Sequence, residues 1–363
     1  MNILNVTSIE EWRGGDAQMY TIYNLLKKYD DIQQYILCPE FSVLAEKCKI
    51  DTANYFTYTK KNKVLSLIRP INKIIKEKQI DVVHIHDSSA LSAAILAKML
   101  SNTKARIIYS RKRNNRIKDN FFSKLKYDNK YVEKIVCVSK AVEKIYLDVG
   151  MDPNKLLTIY DAIDVNKFAN KSSKNIIHDE LNLSEDSKII GNICSLSKQK
   201  DIKTFIDTAE LLLKKNPDKL EFVLIGGGEL DAELKEYTSS LGIENKIHFL
   251  GFRNNINELL PELDILLMTS LTEGLPLSIY EAFASKVPIV STKAGGIPEV
   301  VIDDKTGFLA EIKDKNELER KISNLLENAS LRKDIVESAF SIVSSSFDLK
   351  NLEENYHNFY TSL

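Results

Sequence analysis

Short runs of β-branched and aliphatic residues alternate along this chain with longer helical patterns, and they do so in two separate series. The first series of predicted strands is Asn2–Val6, Tyr35–Cys38, Val82–His86, Arg106–Tyr109 and Lys134–Val138. The second is Ile189–Cys194, Glu221–Ile225, Ile247–Leu250, Ile265–Thr269 and Pro288–Thr292. Between them lie strongly patterned helices, among them Ala17–Lys28, Val64–Lys78, Ala90–Leu100 and Lys203–Lys215. Strands that alternate with helices predict parallel sheets wrapped on both faces. Two such series predict an α/β chain of two doubly wound domains, as does a length of 363 residues, too long for one comfortable core.

The boundary is expected between Asp164 and Ser187, where Asn170-Lys-Ser-Ser-Lys-Asn175 is the most turn-like stretch. This gives a first domain over 1–168 and a second over 169–346. A helical tail from about Phe347 to Tyr360 carries Phe347, Tyr356 and Tyr360, and its pattern alone fits either domain. A formal net charge of −1 gives no overall sign preference for a partner. The first residues, Met1-Asn-Ile-Leu-Asn-Val6, read as a buried strand rather than a signal peptide, and no apolar run approaches bilayer-spanning length. Cys38, Cys48, Cys137 and Cys194 form no C-x-x-C pair, which fits a reducing compartment, so the cytoplasm is the expected location.

Glu273-Gly-Leu-Pro-Leu-Ser-Ile-Tyr-Glu281 sets two carboxylates eight residues apart around a turn and a helix start. Pro276 suits the first helical turn, where its missing N–H costs nothing. The amides of Leu275, Leu277 and Ser278 would then leave a positive helix end that favours phosphate. Two carboxylates beside an anion site suit a molecule carrying both phosphate and sugar hydroxyls. Around this motif stand Phe249-Leu-Gly-Phe252, Ala294-Gly-Gly-Ile-Pro-Glu299, Thr306-Gly-Phe-Leu309, Gly226-Gly-Gly228 and Lys200-Asp-Ile-Lys-Thr-Phe205, with Gly14-Gly15 after the first strand.

In order and spacing these motifs resemble a retaining glycosyltransferase of family 4, the glycosyl transferases group 1, and the resemblance spans nearly the whole chain. It implies the GT-B fold, with two Rossmann-like domains facing across a cleft and the last helix, 347–363, crossing back to the first domain. It implies a nucleotide-sugar donor and a glycan or lipid-linked acceptor, with no cofactor and no metal, and a role in bacterial surface polysaccharide or lipopolysaccharide synthesis. Lys200 and Glu273 take catalytic roles by this resemblance. Gly14, Gly15, Lys200, Gly226, Gly228, Arg253, Glu273, Gly274, Leu275, Pro276, Leu277 and Glu281 border the donor. Glu281 would hold the ribose hydroxyls, and Arg253 would meet the base through backbone atoms.

The chain departs from the family pattern in three places. The family carries Gly-Gly-x-Glu at the first loop, where this chain has Asp16-Ala17 after the glycines. An arginine five residues before the lysine is replaced by Ser195, leaving Lys198 or Arg253 as the nearest cations in sequence. Some members place a histidine at the end of the strand that follows Val82–His86, and here that region reads Ile108-Tyr-Ser-Arg-Lys-Arg113.

On the acceptor side, His84, His86 and Asp87 end a strand at the ligand-binding edge of a doubly wound sheet. Core packing is expected for His84, while His86 or Asp87 would face the acceptor. The stretch 104–134 holds eleven Lys or Arg against three acidic residues, a net +8. No RNA-binding module accompanies it, so nucleic acid is not an expected partner. A solvated face is the plain reading. Peripheral contact with an anionic membrane at the inner face, through Arg111, Lys112 and Arg113, is the functional one. A sugar-nucleotide epimerase and a non-catalytic sugar-nucleotide-binding protein are the alternatives. A nicotinamide dehydrogenase is disfavoured, because Gly226–Gly228 lacks G-x-G-x-x-G spacing.

Overall fold

The computed structural model describes residues 1–101, 103–117, 121–169 and 171–363. Asn170 of the expected boundary and Lys118 and Asp119 of the basic stretch lie outside the described residues, as do the side chains of Phe121, Phe122 and Lys124. The chain divides into two units, 1–161 with 350–363, and 162–349.

The first unit carries β1 (Asn2–Val6), β2 (Gln33–Pro39), β3 (Tyr55–Tyr58), β4 (Val82–Ile85), β5 (Arg106–Arg111), β6 (Val132–Cys137) and β7 (Leu156–Thr158). They form one sheet in the order β3-β2-β1-β4-β5-β6-β7, parallel at every pairing. The second unit carries β8 (Lys188–Ile193), β9 (Leu220–Ile225), β10 (Ile247–Gly251), β11 (Ile265–Met268), β12 (Ile289–Thr292) and β13 (Phe308–Ala310). Its order is β10-β9-β8-β11-β12-β13, again all parallel. The direction of winding reverses between β1 and β4 and between β8 and β11. Such switch points open a crevice at the carboxyl ends of the strands.

Both faces of each sheet are covered, so the central strands are buried along their length: β4, β9, β11 and β12 expose no residue. Every strand predicted from sequence is present. Three short ones were not predicted: β3, β7 and β13, with β13 taking in Phe308 and Leu309 of the Thr306-Gly-Phe-Leu309 motif. The change of unit falls after Asp161, so that 162–168, expected in the first domain, stands in the second. The physical reason is burial. Val165 and Phe168 are covered, and the short helix Val165–Phe168 packs on the helix Leu277–Ala284. The helix Leu349–Thr361 is counted from Lys350 onward with the first unit.

A buried polar chain explains how that helix is held. Gln34 Nε2 donates to the Tyr23 carbonyl at 2.8 Å, and Asn5 Nδ2 donates to Gln34 Oε1 at 3.3 Å. His86 Nε2 meets Asn5 Oδ1 at 3.1 Å, and the His86 and His84 rings lie 4.4 Å apart. His84 then bonds Ser110 Oγ through Nε2 at 2.8 Å and Tyr360 Oη through Nδ1 at 2.5 Å. These groups cross β2, β1, β4 and β5 on one face, and Tyr356 and Tyr360 bury themselves against it.

Burial, aided by the Lys112 charge, pushes the His84 pKa down to about 3. An unfolded His84 takes a proton near pH 6.5, but the folded one resists until far lower. Its contribution is therefore whole above pH 6.5 and is lost as pH falls toward 3, at up to about 1.4 kcal/mol per pH unit. Urea unfolding of the protein and of His84→Gln from pH 7.5 to 4.5 should show the two stabilities converging as pH falls. The comparison cancels Asp16 and Glu281, whose raised pKa values act in the opposite direction. A constant difference across that range would mean that His84 is not held neutral.

Candidate donor site

In the second unit, the loops leaving β8, β11 and β12 are knotted together by side chains with no strong sequence signature. Thr269 Oγ1 donates to the carbonyls of Lys200 and Asp201 at 3.1 and 3.0 Å. Gln199 Nε2 donates to the Thr272 carbonyl at 2.7 Å, and Leu271 N–H to the Gln199 carbonyl at 2.9 Å. Thr292 Oγ1 donates to the Ser270 carbonyl at 2.7 Å. At the centre lies buried Glu273. One of its carboxylate oxygens accepts from Lys200 Nζ at 2.5 Å and from Ser270 Oγ at 2.6 Å. Its carbonyl accepts from the Gly296 N–H at 3.2 Å, which draws in the Gly295-Gly296 turn. Glu273 and Lys200, chosen from sequence, are thus brought together. Ser270, Thr269, Gln199 and Thr292 were missed; hydroxyl residues at the carboxyl ends of two neighbouring strands were the available signal.

The helix that follows is Leu277–Ala284, and Pro276 stands just before it as the cap residue, with φ −76° and ψ 137°, rather than inside its first turn. Among the described residues no side chain caps this end. The first amides of a helix lack intrahelical acceptors, so those of Leu277 and Ser278 face outward with the positive end of the helix. Leu275 is buried and anchors the loop. Glu281 lies one turn further on. Burial pushes its carboxyl up to about 7, eased slightly by Lys167, and it has no hydrogen-bond partner among the described residues. A half-buried, unpartnered carboxyl beside an uncapped helix end is arranged to receive hydroxyls.

The three glycines after β9 have different reasons to be glycine. Gly226 has φ +136°, and a Cβ there would lie 1.9 Å from the Cys194 carbonyl oxygen. At Gly228 a Cβ would lie 2.4 Å from the Leu196 carbonyl oxygen. Both are needed for the two loops to pack backbone on backbone, including Leu196 N–H to the Gly227 carbonyl at 3.0 Å. Gly227, which the motif reading passed over, has open space beside it. The Arg253 side chain is engaged inside the unit. Its Nε donates to the Leu250 carbonyl at 3.0 Å, and its guanidinium pairs with Glu180.

In the first unit, Gly14 and Gly15 open the helix Gly14–Leu25, and no side chain among the described residues caps it. Gly14 has open space, and Gly15 faces the Lys112 side chain. Asp16 turns inward, accepts from Thr7 Oγ1 at 2.9 Å, and is raised to about 6 by burial. His86 Nδ1 is buried without a partner among the described residues.

Two acceptor-side expectations are corrected. Asp87 does not face outward: it caps the helix Ser88–Met99 through Ser89 and Ala90 N–H at 2.9 and 3.0 Å, and takes the N–H and hydroxyl of Ser8 at 2.5 and 2.8 Å. Arg111, Lys112 and Arg113 do not form one basic surface. Arg111 is buried and donates to the carbonyls of Arg113 and Asn115, each at 2.9 Å. Lys112 forms a close ion pair with Asp161. Of the three, Arg113 alone is exposed. Alternation along β5 sends Arg111 inward, and chain carbonyls satisfy its guanidinium. No described helix is long and apolar enough to cross a membrane.

Two doubly wound units, each with an uncapped helix at its switch-point edge, are the architecture of the GT-B enzymes. Family models agree: "Glycosyl transferases group 1" matches residues 173–341 and "Glycosyltransferase Family 4" matches 13–167. The chain belongs to the group 1, family 4 glycosyltransferases. It is 30% identical over 209 residues to the N-acetyl-alpha-D-glucosaminyl L-malate synthase of Bacillus anthracis, covering 57% of this chain and 54% of that protein. It is 26% identical over 253 residues to an Escherichia coli UDP-Gal:alpha-D-GlcNAc-diphosphoundecaprenol alpha-1,3-galactosyltransferase, covering 67% and 65%. The match thus spans between about half and two thirds of these relatives. The crystal structure of Anabaena HepE with UDP-glucose superposes with a TM-score of 0.88 at 22% identity over all of both chains.

Alanine substitution should separate the glycines by role. Gly226→Ala and Gly228→Ala should each lower stability by about 1–3 kcal/mol, read as a lowered Tm, while Gly227→Ala leaves it unchanged. Equal losses at all three would refute the loop-packing account.

Proposed function

We propose that this protein transfers a sugar from a nucleotide-sugar to a hydroxyl of a glycan or lipid-linked acceptor, with retention of anomeric configuration. The observation that carries the reading is the unpartnered Glu281 carboxyl beside the uncapped helix end at Leu277, next to the Lys200–Glu273–Ser270 cluster. Phosphate oxygens fit the helix amides and the remaining N–H groups of Lys200. Ribose hydroxyls fit Glu281, and hydroxyls of the donor sugar fit the Glu273 oxygen not held by Ser270 and Lys200. As the bond from the sugar to the diphosphate breaks, negative charge grows on the leaving phosphate. Lys200 and the helix end then bind the transition state more strongly than the ground state.

The choice of uridine diphosphate is supported by HepE, crystallised with UDP-glucose, and by the UDP-galactose in the Escherichia coli relative's name. A lipid-linked acceptor is supported by the diphosphoundecaprenol compounds that two relatives' names specify. Arg111, which is buried, and Lys112, which is paired with Asp161, give no support to a membrane-binding triplet. No metal has a part in this reading, so turnover should persist in EDTA.

Incubation with a panel of UDP-sugars, with and without undecaprenyl-diphosphate sugars, should give UDP release that requires acceptor and an α-linked product by NMR. Acceptor-free isomerisation would point to an epimerase, and binding without turnover to a non-catalytic protein. Glu281→Ala should weaken UDP binding by roughly ten- to hundredfold, the loss of a hydrogen bond to a charged group. Because the Glu281 carboxyl ionises near pH 7, UDP affinity should rise between pH 6 and 8 more steeply than in Glu281→Gln. Lys200→Ala should lower kcat strongly, and an unchanged kcat would remove it from the chemistry.

A further inference from the structure

The candidate donor site lies at the carboxyl ends of the second sheet, and a pocket of about 380 Å³ lies at its amino ends. Asp264, which leads into β11, and Pro288, which leads into β12, line it together with Lys286. The helix Ala329–Ser346 closes the pocket with Arg332, Lys333 and Val336. All of these residues belong to the second unit. Lys286 and Lys333 are exposed and Arg332 is half-buried. Arg332 and Lys333 enter no ion pair among the described residues. The Lys286 ammonium rests 4.9 Å from the centroid of the Phe340 ring, with no carboxylate against it among the described residues. Asp264, the acid in the lining, is already engaged: it accepts from the Ile189 N–H at 2.9 Å and pairs with Lys188 at 3.1 Å. Three cations therefore share one concave surface without a counter-charge of their own, and like charges held together repel. Lys286 also stands in a costly backbone position. It follows the helix Leu277–Ala284 with φ +58°, its N–H reaching the Phe283 carbonyl at 3.2 Å and the Val287 N–H reaching the Ala282 carbonyl at 2.9 Å. Such a helix ending usually takes glycine, because a Cβ strains the left-handed conformation. Here a lysine stands where glycine would fold more easily.

We propose that this pocket binds a small phosphate monoester, with Lys286, Arg332 and Lys333 around the phosphate. A phosphate monoester carries about 1.5 to 2 negative charges at neutral pH, and a planar guanidinium donates to two of its oxygens at once. A carboxylate would answer only one of the three cations. The volume falls within the range of small-ligand sites, and Pro288 and Val336 offer apolar surface to a short carbon body. Ala329, the first residue of the helix Ala329–Ser346, also lines the pocket, so the positive end of that helix adds to the potential. The proposal stands apart from glycosyl transfer, because Lys200, Glu273 and Glu281 lie outside this lining.

Calorimetry at low salt with glycerol 3-phosphate, and with glycerate as the carboxylate of similar size, tests this. Glycerol 3-phosphate should bind with a Kd below about 1 mM, and glycerate at least roughly tenfold more weakly. Arg332→Gln and Lys286→Asn should each weaken glycerol 3-phosphate binding by roughly tenfold or more. Asparagine tolerates the left-handed backbone, so Lys286→Asn removes the charge and keeps the helix ending; an unchanged Tm checks that both variants are folded. Lys200→Ala, which alters the candidate donor site, should leave this binding as it is. Failure of glycerol 3-phosphate to bind would overturn the proposal, as would equal affinity for glycerate or binding that survives both pocket substitutions. Loss of binding in Lys200→Ala alone would place the phosphate at the donor site and overturn it too. None of these outcomes bears on whether the protein transfers a sugar.

Discussion

One carboxylate organises the second unit. Glu273 is buried, and a buried carboxylate must be met by donors or lose its charge. Lys200 from the β8 loop and Ser270 from the β11 loop meet it, and its own carbonyl holds Gly296 of the β12 loop. Three loops that would otherwise move separately are therefore fixed relative to one atom group. Preorganisation of this kind lets fixed dipoles act on a developing charge without first reorienting. Glu281, on the helix that the Glu273 loop launches, stands in contrast. It is a carboxyl that burial has made costly, eased only slightly by Lys167 and met by no hydrogen-bond donor among the described residues. The fold satisfies one member of the pair and leaves the other without a hydrogen-bond partner among the described residues.

The first unit solves a different problem with the same chemistry. Its sheet carries Gln34, Asn5, His84 and Ser110 on one face, where apolar residues would ordinarily sit. Each finds its partner sideways, strand to strand, and the row ends at Tyr360. A bond from a buried imidazole to a buried phenol is directional, so the helix Leu349–Thr361 has a defined seat rather than an interchangeable apolar contact.

The long central strands were legible because burial on both faces demands unbroken aliphatic runs. β3, β7 and β13 were not: each is an outer strand of three or four residues, too short to show a periodic pattern. Glu273 and Glu281 were picked out by their spacing and Lys200 by the family resemblance, and the structure brings Glu273 and Lys200 together. Ser270 and Thr269 were not, because a hydroxyl after a strand looks the same whether it caps, turns or braces a carboxylate. Gly226 and Gly228 were chosen as ligand-facing glycines, yet the carbonyls of Cys194 and Leu196 account for them, and a loop-to-loop contact leaves no trace in a local motif. The misreading of Arg111 and Lys112 has a similar origin. Within a run of basic residues, strand alternation buried some and left others outside, and their partners, Asn115 and Asp161, gave no hint of pairing in sequence.

The first unit is assembled from two distant stretches, 1–161 and 350–363. During synthesis the ribosome must make the whole of 162–349 before the residues that cover His84 and Ser110 exist. The second unit, contiguous in sequence, is free to fold while that polar face still waits in water. Order of completion thus runs against order of translation. A nascent chain halted before Tyr356 and Tyr360 would carry a finished second unit and an open sheet face in the first, the kind of surface that chaperones and quality-control proteases recognise.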